Sequence, residues 1–142
     1  IGDDASYDED NPYVNRDPRL AAVILMIQLV RTGSPLTASE KTRILEYMET
    51  PLAVDRISAT FERAWGYTQA RLPFSQVADT LAPLLRDALT PAERGELIAM
   101  LTQVAGAHSP PSELQREGIA RLKRRLLVGE GPVLVQRRGE SA

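Results

Sequence analysis

The sequence predicts an all-α protein, a compact bundle of about six to seven helices with two pseudo-symmetric helix-loop-helix halves. Three observations carry that expectation. Apolar residues recur at spacings of three and four, and no segment alternates apolar and polar residues long enough to make a strand. Helix-start signals, a capping side chain followed by proline or by Glu/Gln, recur along the chain. The stretch over residues 26–44 also matches the stretch over 101–119 in loop length and apolar phase.

Composition sets the outer bounds. At 142 residues the chain suffices for one domain with a single well-buried core. Hydrophobic residues at 43% and charged residues at 25% are ordinary for a globular protein. Aromatics are scarce, so the core must be mostly Leu, Ile, Val, Ala and Met. A net charge of −2 argues against bulk attraction to nucleic acid or acidic lipid. Without cysteine there is neither a disulfide framework nor a thiolate metal site. No apolar run approaches the roughly 18–20 residues that span a bilayer. No signal-peptide pattern is legible, and the expected location is the cytoplasm, with membrane association as a variant.

Residues 1–16 read as an acidic extended arm, with Asp3, Asp4, Asp8, Glu9 and Asp10 and the helix-breaking Asn11-Pro12. Its acidic run lacks the Gly and distal Glu of a calcium-binding EF-hand loop. The helical domain is expected over 17–128, and a basic tail over 129–142. Asp17 caps the first helix and Pro18 suits its first position, where a missing N–H costs nothing. Residues 20–30 are apolar nearly all round, which places this helix at the centre of the fold. Gly33 and Pro35 end it. Thr37-Ala-Ser-Glu40 forms a capping box for a second helix with Ile44, Leu45, Tyr47 and Met48.

Thr50-Pro51 is expected to open a third helix bearing Val54, Ile57, Phe61 and Trp65, which decays near Gly66 or runs on towards Leu72. Ser75 is expected to start the fourth, through Val77, Leu81, Leu84 and Leu85, with a kink or break at Pro83. Thr90-Pro-Ala-Glu93 is a second box, ahead of Leu97, Ile98, Met100, Leu101 and Val104. Ser112 and Gln115 cap a sixth helix with Ile119, Leu122 and Leu126, and Gly129, Gly131 and Pro132 release the tail.

The self-similarity appears when Gly33 is laid over His108, an offset of 75 residues. Ser34 then meets Ser109, Pro35 meets Pro110, Thr37 meets Ser112, Glu40 meets Gln115 and Ile44 meets Ile119. Upstream, Met26 meets Leu101 and Leu29 meets Val104. Convergent capping explains the hydroxyls and the Glu/Gln, but not the shared loop length and apolar phase.

This pattern, Arg19-Leu-Ala-Ala-Val-Ile-Leu-Met, a loop, Thr-x-x-Glu and a second such loop, resembles the TerB-like tellurite-resistance family. That fold is in turn related to the N-terminal domain of the co-chaperone DjlA. The resemblance covers residues 17–128 and implies a helical stress-response or co-chaperone-like domain. It also implies divalent-cation sites, because family members carry Asp-Gly in each loop and Glu seven residues after the Asp. Transferred position by position, the first Asp-Gly falls on Gly33-Ser34 and its Glu on Glu40; the second falls on His108-Ser109 and Gln115. Only Glu40 is acidic, so the resemblance points to degenerate metal-binding loops, and no metal site or cofactor is expected.

Catalytic signatures are absent from the residues themselves. His108 is the only histidine, and a zinc or copper site would want further histidines or thiolates. No Gly-x-Ser-x-Gly, phosphate-cradling Gly-rich loop or His-Glu-x-x-His occurs. A small-molecule enzyme would need one cleft holding both His108 and Glu40. The C-terminal region is basic, and Arg121, Arg124 and Arg125 share one helical side at spacings of three and four. A solvated face at a helix C-terminus accounts for them; the functional alternatives are an acidic protein partner, an anionic membrane surface, or this chain's own acidic arm. The expected partner is a protein, or an anionic membrane surface met by the same basic face. Nucleic acid is not expected, because aromatics for base stacking are not interleaved with the cations. The sequence therefore points to a non-catalytic helical interaction module in a larger or membrane-proximal assembly. The alternative is a cation-responsive stress protein with weak metal binding.

Overall fold

A computed structural model describes residues 17–31, 35–70 and 72–128, and the fold is stated for those residues. The expected acidic arm over 1–16, the loop residues Gly33 and Ser34, and the tail over 129–142 lie outside them. The described residues form an all-helical bundle without strands: α1 (Pro18–Val30), α2 (Ala38–Glu49), α3 (Ile57–Tyr67), α4 (Phe74–Ala88), α5 (Pro91–Ala105) and α6 (Glu113–Lys123). A 3₁₀ turn (Thr68–Ala70) extends α3, and a π-helical turn (Arg124–Val128) extends α6.

The first helix is the central one. Asp17 accepts from the N–H of Arg19 and Pro18 occupies the first turn. Residues 20–30 are all buried, and α1 touches each of the other five helices. Burial of one such Leu or Ile contributes on the order of 1.5–3 kcal/mol, which explains how a helix with no polar face can be the organising element. Gln28, the one polar residue in that run, is buried with its amide donating to the carbonyl of Leu72 at 2.6 Å. That bond fixes the segment leading into α4.

Three capping boxes form as the sequence predicts, at Thr37/Glu40, Thr90/Glu93 and Ser112/Gln115. Ile44 and Met48 of α2, Leu97, Ile98, Met100, Leu101 and Val104 of α5, and Ile119, Leu122 and Leu126 all enter the core. The packing of the matched segments is reciprocal: α1 lies on α5, α2 reaches α5, and α6 reaches α1.

Three local expectations are corrected. The third helix starts at Ile57, not at Pro51. The backbone first folds back on the end of α2, with Leu52 N–H donating to Tyr47 and Val54 N–H to Met48, and Ala53 takes a positive φ of 52°. Helical bonding cannot begin until that turn is complete. Arg56 then precedes α3 without a side-chain cap. The fourth helix starts at Phe74 behind Pro73, so Ser75 lies inside it and is not its cap. Pro83 does not break α4, which runs to Ala88. Pro83 is exposed, so the carbonyl that loses an N–H partner there is open to hydration. The opposite side, from Phe74 through Val77, Leu81 and Leu85, packs into the core and carries the helix on past the proline.

Candidate functional site

Two parallel stripes on α6 decide what this surface can do. The inner stripe, Gln115, Ile119, Leu122 and Leu126, is buried. One residue earlier at each step runs an outer stripe: Leu114, Gly118, Arg121 and Arg125. At about 100° per residue the two stripes lie side by side, so the outer one borders the core without entering it. It faces α4, which runs alongside in the same direction. Phe74 lies against Gly118, Asp79 meets Arg121 and Arg125, and the Arg86 guanidinium donates to the Arg125 carbonyl at 3.3 Å.

Gly118 permits that approach. A Cβ added there would stand 2.7 Å from Cδ2 of the buried Phe74 ring, so only a residue without a side chain lets the ring rest on α6. Between the start of α4 and the face of α6 opens a surface groove of about 580 Å³. Pro73, Phe74, Leu114 and Gly118 form its apolar end, and Arg121 and Arg124 its cationic end, with Glu117 between them along α6. Leu114 is 61% exposed and is the only large apolar side chain left exposed among the described residues.

At the cationic end the guanidinium of Arg121 grips Asp79 at two points, Nη2 to Oδ2 at 2.8 Å and Nε to Oδ1 at 3.2 Å. Arg125 adds a third contact, Nε to Oδ1 at 2.7 Å. Hydrogen bonding from Arg121 is the main cause that holds the Asp79 carboxyl below its ordinary 3.8; partial burial opposes it, and the charges of both arginines reinforce it. The same pairing raises the Arg121 guanidinium above its usual value. Of the three arginines expected to bind a partner, two are thus tied to one carboxylate of the same chain. Arg124 is exposed and makes no ion pair among the described residues.

The positions implied by the family resemblance have structural tasks. Glu40, 6% exposed, accepts from the Thr37 N–H at 2.9 Å. Gln115, 7% exposed, accepts from the Ser112 N–H at 2.9 Å, and its amide donates to the Leu29 carbonyl at 3.2 Å. Glu93, in the third box, is exposed, so burial of the box acceptor sets the two matched loops apart from simple capping. His108 is exposed, and Gly33 lies outside the described residues. Among the described residues no three His, Asp or Glu side chains converge as a metal site.

A second cleft of about 380 Å³ lies between the start of α1, the turn at Leu52 and α5, with Arg19, Glu93, Glu96 and Met100 on its walls. Neither cleft is lined by His108 or Glu40. The aromatic side of α3 is covered from within: Phe61 and Trp65 stack at 6.3 Å, Arg31 sits 4.3 Å over Trp65, and Lys41 sits 5.2 Å over Phe61. Among the described residues no helix is long and apolar enough to cross a membrane.

No protein-family model, curated protein or solved structure matches this chain. The surface must therefore be read from its own chemistry. The arginines were legible in the sequence, but the groove was not. Its one sequence signal is Leu114, an apolar residue one position off the apolar stripe of its helix.

Proposed function

We propose that this chain is a non-catalytic helical interaction module, of the TerB-like type that its loop pattern resembles, working within a larger or membrane-proximal assembly. One observation carries the reading. Arg121, Lys123, Arg124 and Arg125 lie within five residues where α6 passes into its π-helical turn, all exposed, and among the described residues only Arg121 and Arg125 pair with a carboxylate, that of Asp79. The surplus of positive charge on a chain of net charge −2 is a local feature that suits an acidic protein surface. Asp79 holds two of these guanidinia in place, which lowers the side-chain ordering needed when a partner arrives.

The test is affinity capture from the native source with the parent chain and with Arg124→Glu, over stepped salt. Arg124 is chosen because reversing Arg121 or Arg125 would also break their bonds to Asp79. A partner retained by the parent, released by salt and lost from Arg124→Glu supports the reading. An identical set of proteins on both, indifferent to salt, overturns it.

A further inference from the structure

We propose that the groove between α4 and α6 receives a short segment of a partner protein carrying one bulky apolar side chain next to a group of carboxylates. This rests on the interaction-module reading and names the chemistry of its partner. The groove is asymmetric along α6. At the helix N-terminal end, Leu114 is 61% exposed beside Pro73, Phe74 and the side-chain-free surface of Gly118. That arrangement is a seat for an apolar side chain, which would bury Leu114 and the groove wall together.

Two turns further on, the wall becomes Arg121 and Arg124. Arg121 is already oriented by its two-point contact with Asp79, and among the described residues Arg124 has no such partner. Guanidinium forks match carboxylates in geometry as well as charge. Glu117, which also lines the groove, stands between Leu114 and Arg121 along α6 and repels an acidic group placed there. The placement is thereby set: apolar residue near Leu114, carboxylates near Arg124, with the peptide running in either direction. A peptide fits this surface better than a lipid bilayer. A bilayer-seeking face presents several projecting apolar side chains, whereas among the described residues Leu114 is the only large one exposed. At about 580 Å³ the groove lies within the usual range of roughly 300–1,000 Å³ for ligand clefts.

The experiment pans a displayed random dodecapeptide library against the full chain. The enriched peptides are then titrated onto the parent, Leu114→Asp, Arg124→Glu and, as a control at the second cleft, Glu96→Lys. All three residues are exposed, so the fold should survive each change; circular dichroism checks this. The expected result is a consensus with Leu, Phe or Trp on one side of two or more acidic residues. Binding should weaken at least tenfold in Leu114→Asp and in Arg124→Glu, fall with added salt, and stay unchanged in Glu96→Lys. Failure to enrich an apolar-acidic consensus overturns the proposal, as does a consensus indifferent to both groove substitutions. So does sedimentation of the chain with phosphatidylserine vesicles through Leu114, or a change of oligomeric state in Leu114→Asp, which would make the occupant a membrane or a second copy. Native capture that survives a failed panning leaves the interaction module standing without this groove, whereas loss of native capture removes the module itself.

Discussion

The Gln115 side-chain amide donates to the main-chain carbonyl of Leu29 at 3.2 Å, joining residues 86 positions apart. Leu29 lies in the last turn of α1, where helix carbonyls run out of N–H partners. The same Gln115 caps its own helix by accepting from the Ser112 N–H. One buried side chain thus fixes the start of α6 and docks it onto the end of the central helix.

Gln115→Glu should therefore destabilise the fold, although it keeps the capping acceptor and restores the acidic residue that the family resemblance would place there. It removes the donor to Leu29 and sets a carboxylate against a buried carbonyl. The expected loss is about 1–3 kcal/mol, read by urea unfolding. Glu40→Gln, which keeps the acceptor for Thr37 and has no long-range donor to lose, should cost less than Gln115→Glu. Equal stability of Gln115→Glu and the parent would show that the bond to Leu29 contributes nothing.

Two helical glycines should respond with opposite signs. Gly95 has no atom within 4 Å of an added Cβ, so Gly95→Ala should stabilise α5 by about 0.5–1 kcal/mol. At Gly118 the same methyl meets the buried Phe74 ring at 2.7 Å. Overpacking costs roughly 1–3 kcal/mol, which outweighs the gain in helix propensity, so Gly118→Ala should melt lower than the parent. Paired thermal melts decide it, and a rise in Tm for Gly118→Ala would show that α4 and α6 can separate without cost.

Arg94 is a buried fastener. Its guanidinium donates to the carbonyls of Arg86 at 2.7 Å, Leu89 at 3.2 Å and Leu126 at 3.3 Å. It closes the end of α4 and pins the π-helical turn after α6. Arg94→Met keeps the apolar stem and leaves three carbonyls without that donor, for an expected loss of roughly 2–3 kcal/mol. Hydrogen exchange should also quicken at the amides of residues 124–128 before the rest of the domain. Uniform exchange across the domain would contradict the local role.

The Asp79 pairings should make part of the stability depend on pH. The folded-state carboxyl lies below its ordinary 3.8, so its contribution is fully present above that value and is lost as pH falls through the depressed folded value. Asp79→Asn should melt roughly 1–4 °C below the parent near neutrality, since exposed pairs contribute little. The two melting curves should converge in acid, below the ordinary value of 3.8. A difference that widens on acidification would have the wrong sign and reject the assignment.

Much of this bundle was determined by the sequence alone, because its signals are local. A run as apolar as residues 20–30 has no exposed face to offer, so it had to be central. A hydroxyl three residues ahead of Glu or Gln satisfies helix N–H groups wherever the rest of the chain goes, and all three such boxes formed. The same local character misled at Thr50-Pro51 and Ser75, where a fold-back turn and the packing of Phe74 set the helix starts instead. Tertiary structure alone decided which arginines are committed. Sequence spacing put Arg121, Arg124 and Arg125 on one side of a helix, but only the parallel course of α4 brings Asp79 to two of them, Arg121 and Arg125. Likewise Leu114 and Gly118 are unremarked residues of an amphipathic helix until Phe74 comes to rest against that helix and a groove opens beside it. Caps and periodicity depend on neighbours within a few residues; ion pairs and grooves depend on which helix lies alongside, and that is set by the packing of the whole core.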